Sequence, residues 1–120
     1  MRFMMIMKPN IDEEHWALDP EAMAAMGKYN DELRKAGVLL AVDGLQPTAE
    51  GARVSFAGGR ATVTDGPFTE SKELIGGFWL IQAKSKEEAI QWVIRCPALD
   101  GDVIEVRRVA ERSDFDNAEA

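Results

Sequence analysis

The sequence predicts an α+β domain in which one antiparallel sheet carries two helices on a single face. Three observations lead to this prediction. Two stretches place apolar residues at helical spacing, short β-rich runs lie before, between and after them, and two glycines join one pair of these runs. The 120 residues amount to one domain, and no linker or internal repeat divides them.

The first strand is predicted at residues 3–7, a continuous apolar run between Arg2 and Lys8. A run this short, without polar alternation, is typical of a strand that is covered on both faces. Pro9 ends it, because proline cannot donate a backbone hydrogen bond to a sheet.

Both helices carry start signals. Asp19 and Pro20 supply a capping carboxylate and a proline suited to the first helical position, and Gly37 is the expected stop. Ser85 and Glu88 form a capping box at the start of the second helix. The apolar stripe of the first helix consists of Ala22, Met26, Tyr29, Leu33 and Ala36.

The remaining β-rich runs are residues 38–45, 52–56, 61–65, 75–83 and 103–109. The pair Gly58-Gly59 joins the second and third runs, which predicts a hairpin. With the hairpin set aside, the order is β-α-β-β-α-β, the arrangement of ferredoxin-like folds. The domain is expected to span residues 1–112, and residues 113–120 are expected to form a flexible acidic tail.

The sheet face away from the helices is expected to be apolar. A chain of this size has too few elements to cover both faces, and the strands at residues 3–7 and 75–83 alternate two sets of apolar side chains. Such a face would expose more apolar surface than monomers usually tolerate. We therefore expect a homodimer in which two sheets pack together across a two-fold axis.

The acidic charge limits the partners of the protein. Fourteen basic and 21 acidic residues give a net charge of −7, which argues against nucleic acid and an anionic membrane as partners. The one cysteine, Cys96, allows no internal disulfide. Cys96 and the one histidine, His15, are too few for structural zinc, so we expect no metal and no cofactor. No targeting segment is visible, which predicts a cytoplasmic location.

The most distinctive stretch is residues 64–73, which contains Asp65-Gly66-Pro67-Phe68. A glycine before a proline is pushed out of the helical region, and the proline fixes its own backbone dihedral. The preceding strand must therefore end here in a turn, and the Asp65 carboxylate can accept hydrogen bonds from the backbone amides of that turn. Phe68 then offers an anchor into the core.

This stretch resembles the signature of the YCII-related family, in its Asp-Gly-Pro-Phe branch. Further matching residues are the methionine-rich first strand and residues 36–37, 76–79 and 105–107. The resemblance implies a ferredoxin-like dimeric α/β barrel, a ligand cleft near the motif and genes that often neighbour those of sigma factors. It implies no agreed reaction. Narrower relatives carry a His and an Asp in the first helix, but the matching positions here hold Met26 and Lys35.

The candidate catalytic residues are Asp65, Glu70 and Lys72. A carboxylate held at a strand end beside a rigid turn suits general acid–base work, and the alternative is that Asp65 only caps the turn. Glu70 and Lys72 could bind a polar substrate or hold a proton-transfer pair, and the alternative is a solvated charge cluster.

The candidate ligand-binding residues are Arg107, Glu105, Glu73 and His15. Arg107 and Glu105 share a strand face, opposite Ile104, so they are expected on the open side of the sheet. Arg107 could hold a substrate carboxylate, or it could form a structural ion pair with Glu105 or with the other subunit. His15 is either a base or a bystander in an acidic loop.

Two function classes are open. The first is a cofactor-free acid–base enzyme that binds a small polar or aromatic molecule near the motif. The second is a non-catalytic regulatory or interaction module linked to sigma-factor signalling. A third idea, cofactor-free oxygenation, rests on fold analogy alone.

Overall fold

The computed structural model describes residues 1–15, 19–68 and 74–119, and these residues form an α+β domain. The strands are β1 (Arg2–Lys8), β2 (Leu39–Gly44), β3 (Ala52–Ala57), β4 (Arg60–Asp65), β5 (Gly77–Gln82) and β6 (Val103–Arg108). The helices are α1 (Pro20–Lys35), α2 (Lys86–Ile94) and α3 (Arg112–Glu119), and two short 3-10 turns are Glu13–His15 and Thr48–Glu50.

Four of the strands form an antiparallel sheet in the order β2-β5-β1-β6. The two strands with the most apolar sequences, β1 and β5, occupy its centre, where both neighbours satisfy their backbone groups. The predicted α+β class is therefore confirmed, and the strand order is consistent with a ferredoxin-like fold.

The core lies between one face of this sheet and the helices. Phe3, Met5 and Ile81 are almost fully buried on the sheet, and Leu33 of α1 packs against them. Tyr29 of α1 closes the layer, because its hydroxyl donates to the Trp92 carbonyl oxygen at 2.7 Å. Burial of these side chains is the main stabilising term and fixes how the helices lie on the sheet.

The helix caps follow the sequence signals. Asp19 accepts a hydrogen bond from the Glu21 amide, and Ser85 Oγ accepts one from the Glu88 amide. The Glu88 carboxylate accepts from the Lys84 amide rather than from that of the cap residue. Beyond α1, Gly37 has a φ of +74°, the left-handed conformation that glycine adopts most readily.

The other face of the sheet contributes no residue to the buried core among the residues that the structure describes. Its central side chains, Met4, Ile6 and Phe78, are half-buried by their neighbours within the sheet. Ile104 packs against the core on the helix side, so alternation places Glu105 and Arg107 on this open face, as the sequence predicts.

The hairpin β3–β4 forms a second sheet of its own, joined by the predicted Gly58-Gly59 turn. Both glycines have positive φ, at 57° and 77°. All residues of the two strands are exposed. The hairpin thus extends from the domain as an arm, which we define as residues 52–65.

The end of the chain differs from the expected flexible tail, because Arg112–Glu119 forms helix α3. Arg108 donates to both carboxylate oxygens of Asp114, at 2.8 and 2.9 Å, and the Glu111 amide also donates to Asp114. The polar sequence concealed this helix, because its order depends on a charge pair with β6 and not on an apolar stripe. The boundary at residue 112 stays a prediction.

Candidate functional site

A pocket of about 350 Å³ opens between the first half of α1 and the ends of β1, β2 and β5. Its volume falls at the small end of the range for sites that bind small molecules. Three methionines and one tryptophan line it, which suits a flat apolar ligand. The main apolar wall residues are Met7, Ile11, Met23, Met26, Val42 and Trp79.

Two polar residues of the pocket, Asn30 and Asp19, form hydrogen bonds with other parts of the protein. Asn30 Oδ1 accepts a hydrogen bond of 2.7 Å from Trp79 Nε1, which fixes the indole ring across the pocket floor. Tyr29 meets the same indole edge-on, with ring centroids 5.8 Å apart. Asp19 caps α1. These three contacts hold the apolar wall in place, which preorganises it for a ligand.

His15 also borders the pocket, and its side chain is exposed. Asp43 borders the pocket as well, but strand alternation directs its side chain to the open sheet face, because its neighbour Val42 packs on the core and Asp43 itself pairs with Phe78. His15 ends the 3-10 turn Glu13–His15, in which its own amide donates to the Asp12 carbonyl oxygen at 2.9 Å. Within the described part of the chain its ring has no hydrogen-bond partner, so the imidazole is available to donate to a bound molecule or accept from it.

The turn that carries His15 is clamped by Glu13. The half-buried Glu13 carboxylate accepts two hydrogen bonds from Thr48, one from its amide and one from its hydroxyl, both 2.7 Å long. Hydrogen bonds to a charged acceptor are stronger than neutral ones. Glu13 therefore joins the loop before α1 to the loop after β2.

The Asp-Gly-Pro-Phe motif packs against the same clamp. The Phe68 amide donates to Thr48 Oγ1 at 2.9 Å, and the Gly66 amide donates to the Gly51 carbonyl oxygen at 3.0 Å. A Cβ atom at Gly66 would overlap the Thr48 carbonyl oxygen, so this position accepts only glycine. Phe68 thus holds Thr48, and Thr48 in turn binds Glu13. Through these contacts the motif supports the turn that brings His15 to the pocket.

Phe68 also borders a second, more open pocket of about 400 Å³ beside the motif. The Arg53 guanidinium lies 3.9 Å from the centre of the Phe68 ring, within the range of a cation–π contact. Leu45, Leu74 and Ile75 complete the apolar part of its wall. Among the described residues, this cavity lies beside the motif, where the sequence predicts a cleft.

The structure does not bring the predicted site residues together. Asp65 ends the arm strand β4 and borders none of these pockets. Glu105 accepts a 3.0 Å hydrogen bond from Lys8, and Arg107 lies 3.9 Å from the same carboxylate on the open sheet face. Of the predicted residues that the structure describes, His15 borders the pocket between α1 and β5. Glu70, Lys72 and Glu73 lie outside the described residues.

The described residues offer no reactive thiol and no metal site. Burial raises the pKa of the Cys96 thiol to about 11, with Asp102 adding to the effect, so the thiol is a poor nucleophile at neutral pH. Burial likewise raises the pKa of the Tyr29 hydroxyl. No group of three or more His, Cys, Asp or Glu side chains in these residues could hold a metal ion. Nor does any described helix have the length and apolar character needed to span a membrane.

Sequence reasoning missed Asn30, Glu13 and Thr48. No signal in the sequence pointed to Glu13 and Thr48, which lie 35 residues apart and meet only in the folded chain.

Comparisons with known proteins agree on the fold. A model of the YCII-related domain matches residues 1–113. An uncharacterized protein of Rhizobium meliloti (strain 1021) is 35% identical over 74 residues, which are 62% of this chain and 60% of that protein's length.

One solved structure is similar over nearly its whole length. It is 5-chloro-2-hydroxyhydroquinone dehydrochlorinase (TftG) from Burkholderia phenoliruptrix AC1100, in complex with 2,5-dihydroxybenzoquinone. The TM-score is 0.51, the identity 16%, and the alignment covers 95% of this chain and 98% of the other. At this identity the similarity supports the fold alone.

Proposed function

Because the chain belongs to the YCII-related family, we propose that it binds a small hydroxylated aromatic molecule in the pocket between α1 and β5. The observation that carries this proposal is the combination of a pocket lined by methionines and Trp79 with an exposed polar side chain, His15, at its border. Ligand sites typically combine an apolar wall with a few such polar groups.

The ligand class follows from the wall and the rim. The Trp79 indole, held by Asn30, offers a fixed aromatic surface, and Met26 offers a polarizable thioether that adapts to a ring. A hydroxyl on that ring would reach the rim, where His15 can accept its proton or donate to it. The dehydrochlorinase with a similar fold was solved with a dihydroxylated quinone, which supports this ligand class.

If the protein is an enzyme, its chemistry is proton transfer without a cofactor. His15 would act as the base on a ring hydroxyl, because its imidazole borders the pocket, is exposed and has no hydrogen-bond partner in the described part of the chain. The regulatory alternative is not favoured by the pocket or by the comparisons.

We also propose that the open sheet face forms a homodimer, giving a barrel of two sheets. The half-buried Met4, Ile6 and Phe78 supply an apolar centre, and Glu105 and Arg107 lie on its β6 side. Membership in the Asp-Gly-Pro-Phe branch and a cytoplasmic location, both suggested by the sequence, stay proposals.

Titration calorimetry with 2,5-dihydroxybenzoquinone tests the site. We expect saturable binding that is weakened at least tenfold by His15→Gln, which keeps a polar side chain but cannot accept a proton near neutral pH. Asp65→Asn is the matched comparison, because it probes the motif and leaves the pocket intact. A loss of binding in Asp65→Asn with His15→Gln unchanged would move the ligand to the motif and contradict the proposal.

A further inference from the structure

The arm, residues 52–65, has one apolar face that is exposed among the residues that the structure describes. Val54 lies directly opposite Val63, and Phe56 opposite Ala61, so their side chains share one face. Phe56 is 79% exposed, Val63 65% and Val54 49%. A two-stranded hairpin alone is marginally stable in water, so this face calls for a covering surface.

The opposite face of the arm is polar. Ser55 lies opposite Thr62, and Arg53 opposite Thr64. A hairpin that is polar on one side and apolar on the other has the pattern of a sheet with one buried face. The apolar side is thus specified by the sequence, and none of the residues 1–15, 19–68 and 74–119 covers it.

We propose that this apolar face packs against a second copy of the chain, so that each copy of the dimer extends its arm onto the other. The inference rests on the homodimer proposed above and adds the arm to its interface. The arm follows edge strand β2, so it projects from the side of the sheet and not from its centre. From that side it can reach past its own sheet.

The interface area favours a second copy of the chain as the partner of the arm. Strands of six residues make one arm face about 20 Å long and 10 Å wide, or about 200 Å². Two arms and the surfaces beneath them would bury about 800 Å², and two four-stranded sheet faces would bury about as much again. A stable interface buries about 1,200–2,000 Å², so neither contact is enough alone and the two together are.

Sedimentation of Val63→Asp against Thr62→Asp tests the arm. The two neighbouring positions lie on opposite faces of β4, and both are exposed in a single copy, so neither substitution disturbs the core. We expect Val63→Asp to raise the dimer dissociation constant at least tenfold and Thr62→Asp to change it by less than about threefold. Hydrogen exchange at the arm amides should slow as the protein concentration rises through that constant.

The outcomes separate this inference from the dimer itself. If the unmodified protein is a monomer at all concentrations, both the dimer and the arm contact are wrong. If it is a dimer and Val63→Asp associates as tightly as Thr62→Asp, the sheet faces form the dimer and the arm inference is overturned. Protection of the arm amides that does not depend on concentration would also overturn it, because the cover would then come from the same chain.

Discussion

Replacing Thr48 with valine tests whether the motif holds the turn that positions His15. Valine keeps the shape of threonine but removes Oγ1, which donates to Glu13 at 2.7 Å and accepts from the Phe68 amide at 2.9 Å. The amide bond from residue 48 to Glu13 is a backbone contact and can remain. The substitution therefore removes two side-chain hydrogen bonds and little packing.

The expected cost is about 2 kcal/mol of unfolding free energy. A hydrogen bond to a charged acceptor contributes about 1.5–3 kcal/mol and a neutral one about 1, and partial exposure to water reduces both. For a domain of this size, 2 kcal/mol lowers the melting temperature by roughly 6–10 °C. Thr48→Ser retains the hydroxyl and should cost less than about 1 kcal/mol.

Two readouts are needed to distinguish stability from positioning. Urea unfolding at a fixed protein concentration gives the free energy, and the proton NMR signal of the one histidine ring reports on His15 directly. We expect Thr48→Val to shift that signal and to weaken binding of 2,5-dihydroxybenzoquinone, and Thr48→Ser to restore both. If the valine and serine variants are equally stable and the His15 signal is unchanged, the motif does not act on the pocket through Glu13.

Three further predictions concern the fold. Gly66→Ala should destabilise the protein by more than about 2 kcal/mol, because its Cβ would overlap the Thr48 carbonyl oxygen, whereas Gly51→Ala, with ordinary contacts, should cost less than about 1 kcal/mol by thermal unfolding. Ile81→Ala should cost about 2–5 kcal/mol in urea unfolding, because the side chain is fully buried at the centre of the core. Cys96 should react with iodoacetamide at pH 8 on the order of 100-fold more slowly in the folded than in the unfolded chain, because its pKa is raised from 9.0 to about 11.

Local patterns were enough to predict most of the fold. The apolar run of β1, the cap at Asp19 and the glycine pair of the hairpin each depend on neighbouring residues, so each can be read along the chain. The placement of Glu105 and Arg107 on the open face follows from strand alternation in the same way.

The candidate site could not be predicted in this way. The pocket depends on contacts between distant residues, such as the bond from Trp79 to Asn30, 49 positions apart. Helix α3 was missed for a different reason: it shows no apolar stripe, and Arg108 on β6 holds it through a charge pair with Asp114, six positions along the chain. The motif drew attention to Asp65, but the described contacts of the motif run through Gly66 and Phe68 to Thr48, and from there to the His15 turn.

A crystal structure of the protein soaked with 2,5-dihydroxybenzoquinone tests the central claim most directly. We expect density for the ring against Trp79 and Met26, with an oxygen atom within hydrogen-bond distance of His15. Density beside Phe68 and Arg53, or on the open face at Arg107, with the α1–β5 pocket empty, would contradict the account.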